Sequence, residues 1–364
     1  MIRYITLILL FFFTSIQSET FNFLHIPIQE EGRIKPLDSF ARNQLLKIYG
    51  KTNLTIYQEE KYEISAINWL YAVLRQEPSS LNQSIFKIQN PDVVNALNLD
   101  KTEKLLYSFN QINTGLSTQN NIELIQRISQ TDKKFLTLVE KQILDLNIKH
   151  KLFLDLFNSA SCVIPIIQIS NPTIAKAFGV SSNDRISYSY YIRNQISIHH
   201  ELQKIVQSID SNSENELTLF ELRNIMETIA IFENEIFIRN QSNKLNSSNI
   251  LKIIPTENEW KSVWNVIDEI KISGSTNSTS SSLLLLLESI FDDNDEYKKT
   301  YLTDYLKVIS SETKLSAKLL KREVNYNQSN LFIWSLIFYI FSLISLFIFS
   351  MFKKFPNQLK LVPF

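Results

Sequence analysis

The sequence predicts a mainly α-helical protein: an exported helical domain set between an N-terminal signal or anchor segment and one C-terminal transmembrane helix. Three observations carry this. Apolar stripes recur at helical spacing: Val139, Ile143, Leu146, Phe153 and Phe157 form one, and Leu222, Ile225, Ile229, Phe232 and Ile236 form another. Only five glycines occur in 364 residues, too few for hairpin arrays or for the phosphate loops of doubly wound sheets. Residues 331–352 carry no charge, which as a helix is about 33 Å of apolar length, enough for a bilayer.

Residues 1–18, "MIRYITLILLFFFTSIQS", place one Arg before an apolar run from 5 to 13 and end in small and polar residues. This is the three-part build of a signal peptide, although Ile16 stands where a small residue is favoured for cleavage, so an uncleaved anchor remains the alternative. Residues 19–325 follow as the exported domain. Ser/Asn-rich breaks at 208–216, 240–249 and 273–282 place sub-boundaries near 210, 245 and 278. Extended candidates are few: "FNFLHIPI" and "CVIPIIQI" are short, and neither reads as having a glycine-based hairpin beside it. After the span at 331–352, Lys353, Lys354 and Lys360 mark residues 353–364 as a cytoplasmic tail. That puts the domain on the external, periplasmic side of the inner membrane. Ser335, Ser342 and Ser345 give the span one small-residue face for packing on another membrane helix.

The most distinctive stretch is residues 30–50, "EEGRIKPLDSFARNQLLKIYG". Gly32 permits a sharp turn, and Pro36 suits a helix start near Leu37. Leu37, Phe40, Ala41, Leu45 and Ile48 then form one buried face, Asp38 and Arg42 pair four apart on the flank, and Gly50 supplies the C-cap.

Charges balance, 37 Lys+Arg against 37 Asp+Glu, so nothing marks a nucleic-acid partner. Cys162, the single cysteine, sits among small apolar residues and reads as a buried, inert thiol. Of the four histidines, His150 and His199 fall within apolar stripes, and neither His25 nor His200 completes a metal-ligand spacing. Glu233 and Glu235 lie about 200° apart on a helix and read as solvated flanks rather than an acid/base pair. No Gly-x-Ser-x-Gly elbow, Walker loop or Cys-x-x-Cys-His is present. The expectation is therefore no catalytic residue, no metal site, no covalently bound haem and no autonomous enzyme.

Four islands carry a resemblance: "LHIPIQEEGRIKPLDSFARNQLLKIYGK", "AINWLYAVLRQEPSSLNQSIFKIQNPDVVNALNL", "NILKIIPTENEWKSVW" and "KREVNYNQSNLFIWSLIFYIFSLI". In this order they resemble the exported domain of bacterial cytochrome c biogenesis proteins of the ResB/CcsA type (system II), especially fused forms. The resemblance implies an accessory subunit that assists haem delivery or attachment beside a CcsA-like multi-span membrane protein, with apocytochrome c as a further partner and haem only as cargo. The family's haem-holding histidines and tryptophan-rich loop have no counterpart here, which implies a split gene or a truncated fusion, and no haem ligand is carried over. Gly32, Arg33, Lys35, Pro36, Asp38 and Arg42 are the motif residues. Two readings stand for them. Arg33 or Lys35 presents a cation at the helix start to a haem propionate or a partner carboxylate, or Arg33, Asp38 and Arg42 form an ion network locking the N-terminal segment onto the bundle. The rival to the whole assignment is a tethered structural or sensory domain of an unrelated envelope complex.

Overall fold

The computed structural model describes residues 23–57, 61–208, 213–242, 250–255, 260–274, 284–285, 287–289, 305–309, 316–329 and 331–353. The expected signal or anchor at 1–18 and the tail beyond Lys353 lie outside the described residues.

After one 3-10 turn at Phe23–His25, β1 (Pro27–Glu30) and β2 (Arg33–Pro36) pair antiparallel, with Glu30 opposite Arg33. Glu31 and Gly32 are thus a two-residue loop, with φ of 54° and 77°, the two positive angles of a type I′ turn. This corrects the expectation that no glycine-based hairpin stands here. Gly32 turns a strand rather than a helix entry, and Pro36 closes the strand instead of occupying the first helical turn. α1 (Leu37–Tyr49) starts where expected, because the Leu37 N–H is taken by the Ile26 carbonyl at 2.8 Å. Gly50 caps it in the left-handed conformation, φ 83°. Leu37, Phe40, Ala41, Leu45 and Ile48 are all buried. Asp38, Ser39 and Gln44 are buried as well, so the flank that carries the Asp38–Arg42 pair is itself covered.

A second hairpin, β3 (Asn53–Tyr57) with β4 (Lys61–Ser65), hands over to α2 (Ala66–Leu74) through Ser65, whose hydroxyl accepts from the Asn68 N–H. α3 (Pro78–Asn82) leads into β5 (Ser84–Lys87), which pairs with β6 (Leu106–Ser108) across the inserted α4 (Pro91–Ala96). Capping boxes open α5 (Phe109–Leu116; Ser108 with Gln111) and α7 (Leu138–Asn158; Thr137 with Glu140), on either side of α6 (Gln119–Gln130). α7 is the hub of this half: α1, α2, α4, α5 and α6 all pack on it. Ile143, Leu146 and Phe153 of its stripe are buried, and Val139 and Phe157 pack half-buried beside them.

In the second half β7 (Ile167–Gln168) and β8 (Arg185–Ile186) bracket α8 (Pro172–Phe178). α9 (Tyr188–Ser208), α10 (Ser213–Ser242), the ribbon of β9 (Lys252–Ile254) and β10 (Lys261–Ser262), and α11 (Val263–Ser273) complete it. α9 packs on α8 and α11, and α10 crosses α8 and β7. One continuous apolar core runs through both halves, from Ile26 to Ile309. The Ser/Asn breaks are shorter than expected, since α10 already covers residues 213–216 and still covers 240–242.

α12 (Ala317–Gln328) returns to the beginning of the chain and packs on Phe23–His25, β2 and α1. Just beyond it comes α13 (Leu331–Lys353), whose backbone is helical for 23 residues. Among the described residues no helix is long and apolar enough to cross a membrane. In α13 the side chains are described only from Trp334 to Ser350, short of a full crossing, and Phe338, Tyr339, Phe341, Leu343 and Phe347 are all exposed.

Candidate functional site

The six motif residues lie where the β1–β2 hairpin, the first turns of α1 and one face of α12 meet. Two polar networks organise them, one inside the hairpin and one bridging to α12.

The inner network centres on the Glu30 carboxylate. Lys35, its diagonal neighbour across the hairpin, donates to it at 2.7 Å, Gln44 Nε2 at 2.6 Å and Lys47 Nζ at 3.1 Å. Lys35 and Glu30 keep only 9% and 12% of their side-chain surface. Burial would raise the Glu30 carboxyl, but hydrogen bonds from Lys35 and Lys47, together with their charge, hold it below the usual carboxylate value.

The outer network runs Arg33–Glu323–Ser39–Asn327–Asp38–Arg42. The Arg33 guanidinium pairs with the Glu323 carboxylate, whose second oxygen accepts from Ser39 Oγ at 2.7 Å. Asn327 then spends both amide hydrogens, one on Ser39 Oγ at 2.8 Å and one on Asp38 Oδ2 at 2.9 Å. Arg42 Nε closes the chain on the same Asp38 oxygen at 3.0 Å. Asp38 also lies in the first turn of α1, where the helix dipole favours an anion. The members differ in exposure: the Asp38 side chain is 3% exposed and that of Arg33 is 66% exposed. The buried end is built to hold α12 against α1, while Arg33 stays open to solvent on its outer side. Arg33 and Lys35, the two cations expected at the helix start, are thus engaged within the chain, and both sit on β2 instead.

Sequence reasoning missed Glu30, Ser39, Gln44, Glu323 and Asn327. Glu323 and Asn327 share one face of α12 at i, i+4 spacing. Their partners lie 284 to 290 residues away, beyond any local pattern.

The other titratable candidates lie apart from this cluster. His150 stacks on Phe109 with centroids 4.6 Å apart and meets Asn113 Oδ1 through Nε2 at 3.1 Å. Burial, with Lys151 adding to it, lowers its pKa to about 4. His199 Nε2 lies 2.7 Å from the Tyr191 hydroxyl, His25 is fully buried, and His200 sits beside Glu201 at the surface. Cys162 is fully buried. Glu233 pairs with Lys271 at 3.3 Å. Among the described residues no group of three His, Cys, Asp or Glu side chains converges as a metal site would require.

Compared with family models, with curated proteins and with solved structures, the chain finds no match in any of the three.

Proposed function

We propose that this chain is a membrane-anchored accessory subunit of system II cytochrome c biogenesis, assisting haem delivery or attachment to apocytochrome c beside a CcsA-like multi-span protein. The observation that supports this most is where the motif is fastened. The Gly-Arg-x-Lys-Pro-Leu-Asp run, the most specific part of the resemblance, is bonded through Arg33, Asp38 and Ser39 to Glu323 and Asn327, on the helix that leads into α13. In this reading α13 and its charge-free sequence cross the inner membrane, residues 353–364 stay inside, and the domain stands on the periplasmic side with the motif at the foot of the anchor. Arg33, two-thirds exposed beside its Glu323 partner, is the group offered to a haem propionate or a partner carboxylate. Haem is cargo, and the chain catalyses nothing alone.

One observation favours the rival reading, a tethered structural or sensory domain: Arg33, Asp38 and Arg42 already have partners inside the chain. Purification through a C-terminal tag from gently solubilised membranes separates the two. A co-purifying multi-span, tryptophan-rich protein with a haem absorption band is the expected result. A colourless single chain, from cells whose c-type cytochromes mature normally after deletion of its gene, gives the rival its place.

A further inference from the structure

Away from the ion network, and lined by none of its residues, lies a cleft of about 590 Å³. It is walled by the β3–β4 hairpin, α3, the β5–β6 ribbon and the start of α5. Among the described residues its lining is mixed: hydroxyls from Thr55, Ser79, Ser84 and Thr102, amides from Asn82, Gln83 and Gln111, the Tyr62 ring, apolar Ile56 and Leu106, and one residue of each charge sign, Glu103 and Lys104, with Thr102 and Asn82 already bonded to Leu106, Pro78 and Asn110. Apolar cofactors and lipids are held by mostly apolar walls with a few polar anchors, whereas here Ile56 and Leu106 are outnumbered by amide and hydroxyl side chains. Phosphates and carboxylates are held by clustered cations, which this cleft lacks.

Two side chains are poised for a ligand. Gln111 fixes its carbonyl oxygen on the Ser108 N–H at 2.9 Å, leaving its NH2 to donate elsewhere. Gln83, also part of the lining, has its Oε1 enclosed with no hydrogen-bond partner, a state that native interiors seldom leave unanswered. Tyr62 stands on β4 opposite Ile56 with 46% of its surface exposed, presenting a flat ring at one wall. We infer that this cleft binds a neutral saccharide, a disaccharide-sized unit whose hydroxyls meet the Gln83 and Gln111 amides while a pyranose C–H face lies on Tyr62. The inference stands on the cleft alone and is independent of the cytochrome reading.

Saturation-transfer difference NMR on the full chain in a sugar-free detergent tests it, with cellobiose and N,N′-diacetylchitobiose as probes. The expected result is transfer to pyranose ring protons of at least one probe, reduced at least fivefold in both Tyr62→Ala and Gln83→Ala while their circular dichroism and melting remain those of the parent chain. No transfer to either disaccharide, or transfer that survives in either folded variant, overturns the proposal.

Discussion

Replacing members of the outer network one at a time should produce an order of destabilisation that burial dictates. Asp38→Ala removes a carboxylate that is 3% exposed and leaves Arg42 and Asn327 without it. Breaking a buried pair from one side costs about 3–5 kcal/mol, and because Arg42 is 20% exposed and can rehydrate, the low end, about 3 kcal/mol, is expected. Glu323→Ala loses the charge-assisted bond from the nearly buried Ser39, roughly 1.5–3 kcal/mol by itself, and the exposed Arg33 pair adds little; about 2 kcal/mol is expected. Arg33→Ala removes only that exposed pair, on the order of 0.5 kcal/mol after solvent screening. Urea denaturation of the solubilised chain, followed by tryptophan fluorescence, reads all three. A double-mutant cycle of Asp38→Ala with Asn327→Ala should give a coupling of about 1 kcal/mol. Faster amide exchange confined to α12 would show that the network holds that helix locally. If Arg33→Ala costs as much as Asp38→Ala, or the cycle shows no coupling, the argument from burial fails. The same series bears on function. Loss of cytochrome c maturation in an Arg33→Ala chain of parental stability assigns Arg33 to a partner, and normal maturation leaves it to the network.

His150 should make the fold acid-sensitive. Its folded pKa, about 4, lies below the unfolded value of about 6.5, so its contribution is complete above pH 6.5 and is lost as pH falls toward 4, by about 2 kcal/mol after discounting for partial solvent access. Melting temperature against pH should lose that slope in His150→Gln. Glu30, whose carboxyl is also lowered, contributes stability that is present above the ordinary carboxylate value and is lost below it. Glu30→Gln should therefore remove the acid limb below about pH 4.5, cost roughly 3 kcal/mol because Lys35 is left buried, and regain most of that when Lys35→Met is added. Gly32→Val meets no atom within 4 Å at its Cβ but keeps φ at 77°. Its penalty is then purely backbone strain, about 1–2 kcal/mol, and Gly32→Asn should lose less than half as much in the same denaturation assay.

Much of this was legible where the signal is local. The α1 boundaries, its apolar face and its Gly50 cap follow from residues within one helix, as does the α7 stripe. Of the strands only β1 and β7 touch the two extended candidates, "FNFLHIPI" and "CVIPIIQI"; the others were not legible, because they are two to five residues long and an alternation so short carries no period. Two ribbons, β5–β6 and β7–β8, are separated by a helix instead of a turn, so no turn residue announces them. Asp38 read as a flank residue since its i, i+4 partner Arg42 is visible in the sequence, whereas α12, which covers it, is not.

The four islands of the resemblance are scattered in the chain but not in space. α1, from the first, packs on α2 and β5 of the second. β1 lies beside β9 of the third, where the Trp260 N–H donates to Gln29 Oε1 at 2.9 Å. α12, from the fourth, closes on β2 and α1. By contrast α8, α9 and α10, which lie in none of the islands, pack mainly on one another and on α11. In the proposed reading, the hairpin, α1 and α12 are where the accessory role is tested, through the Arg33→Ala chain. There the Asn327–Asp38 bond ties α12, the helix immediately before α13, to the first turn of α1.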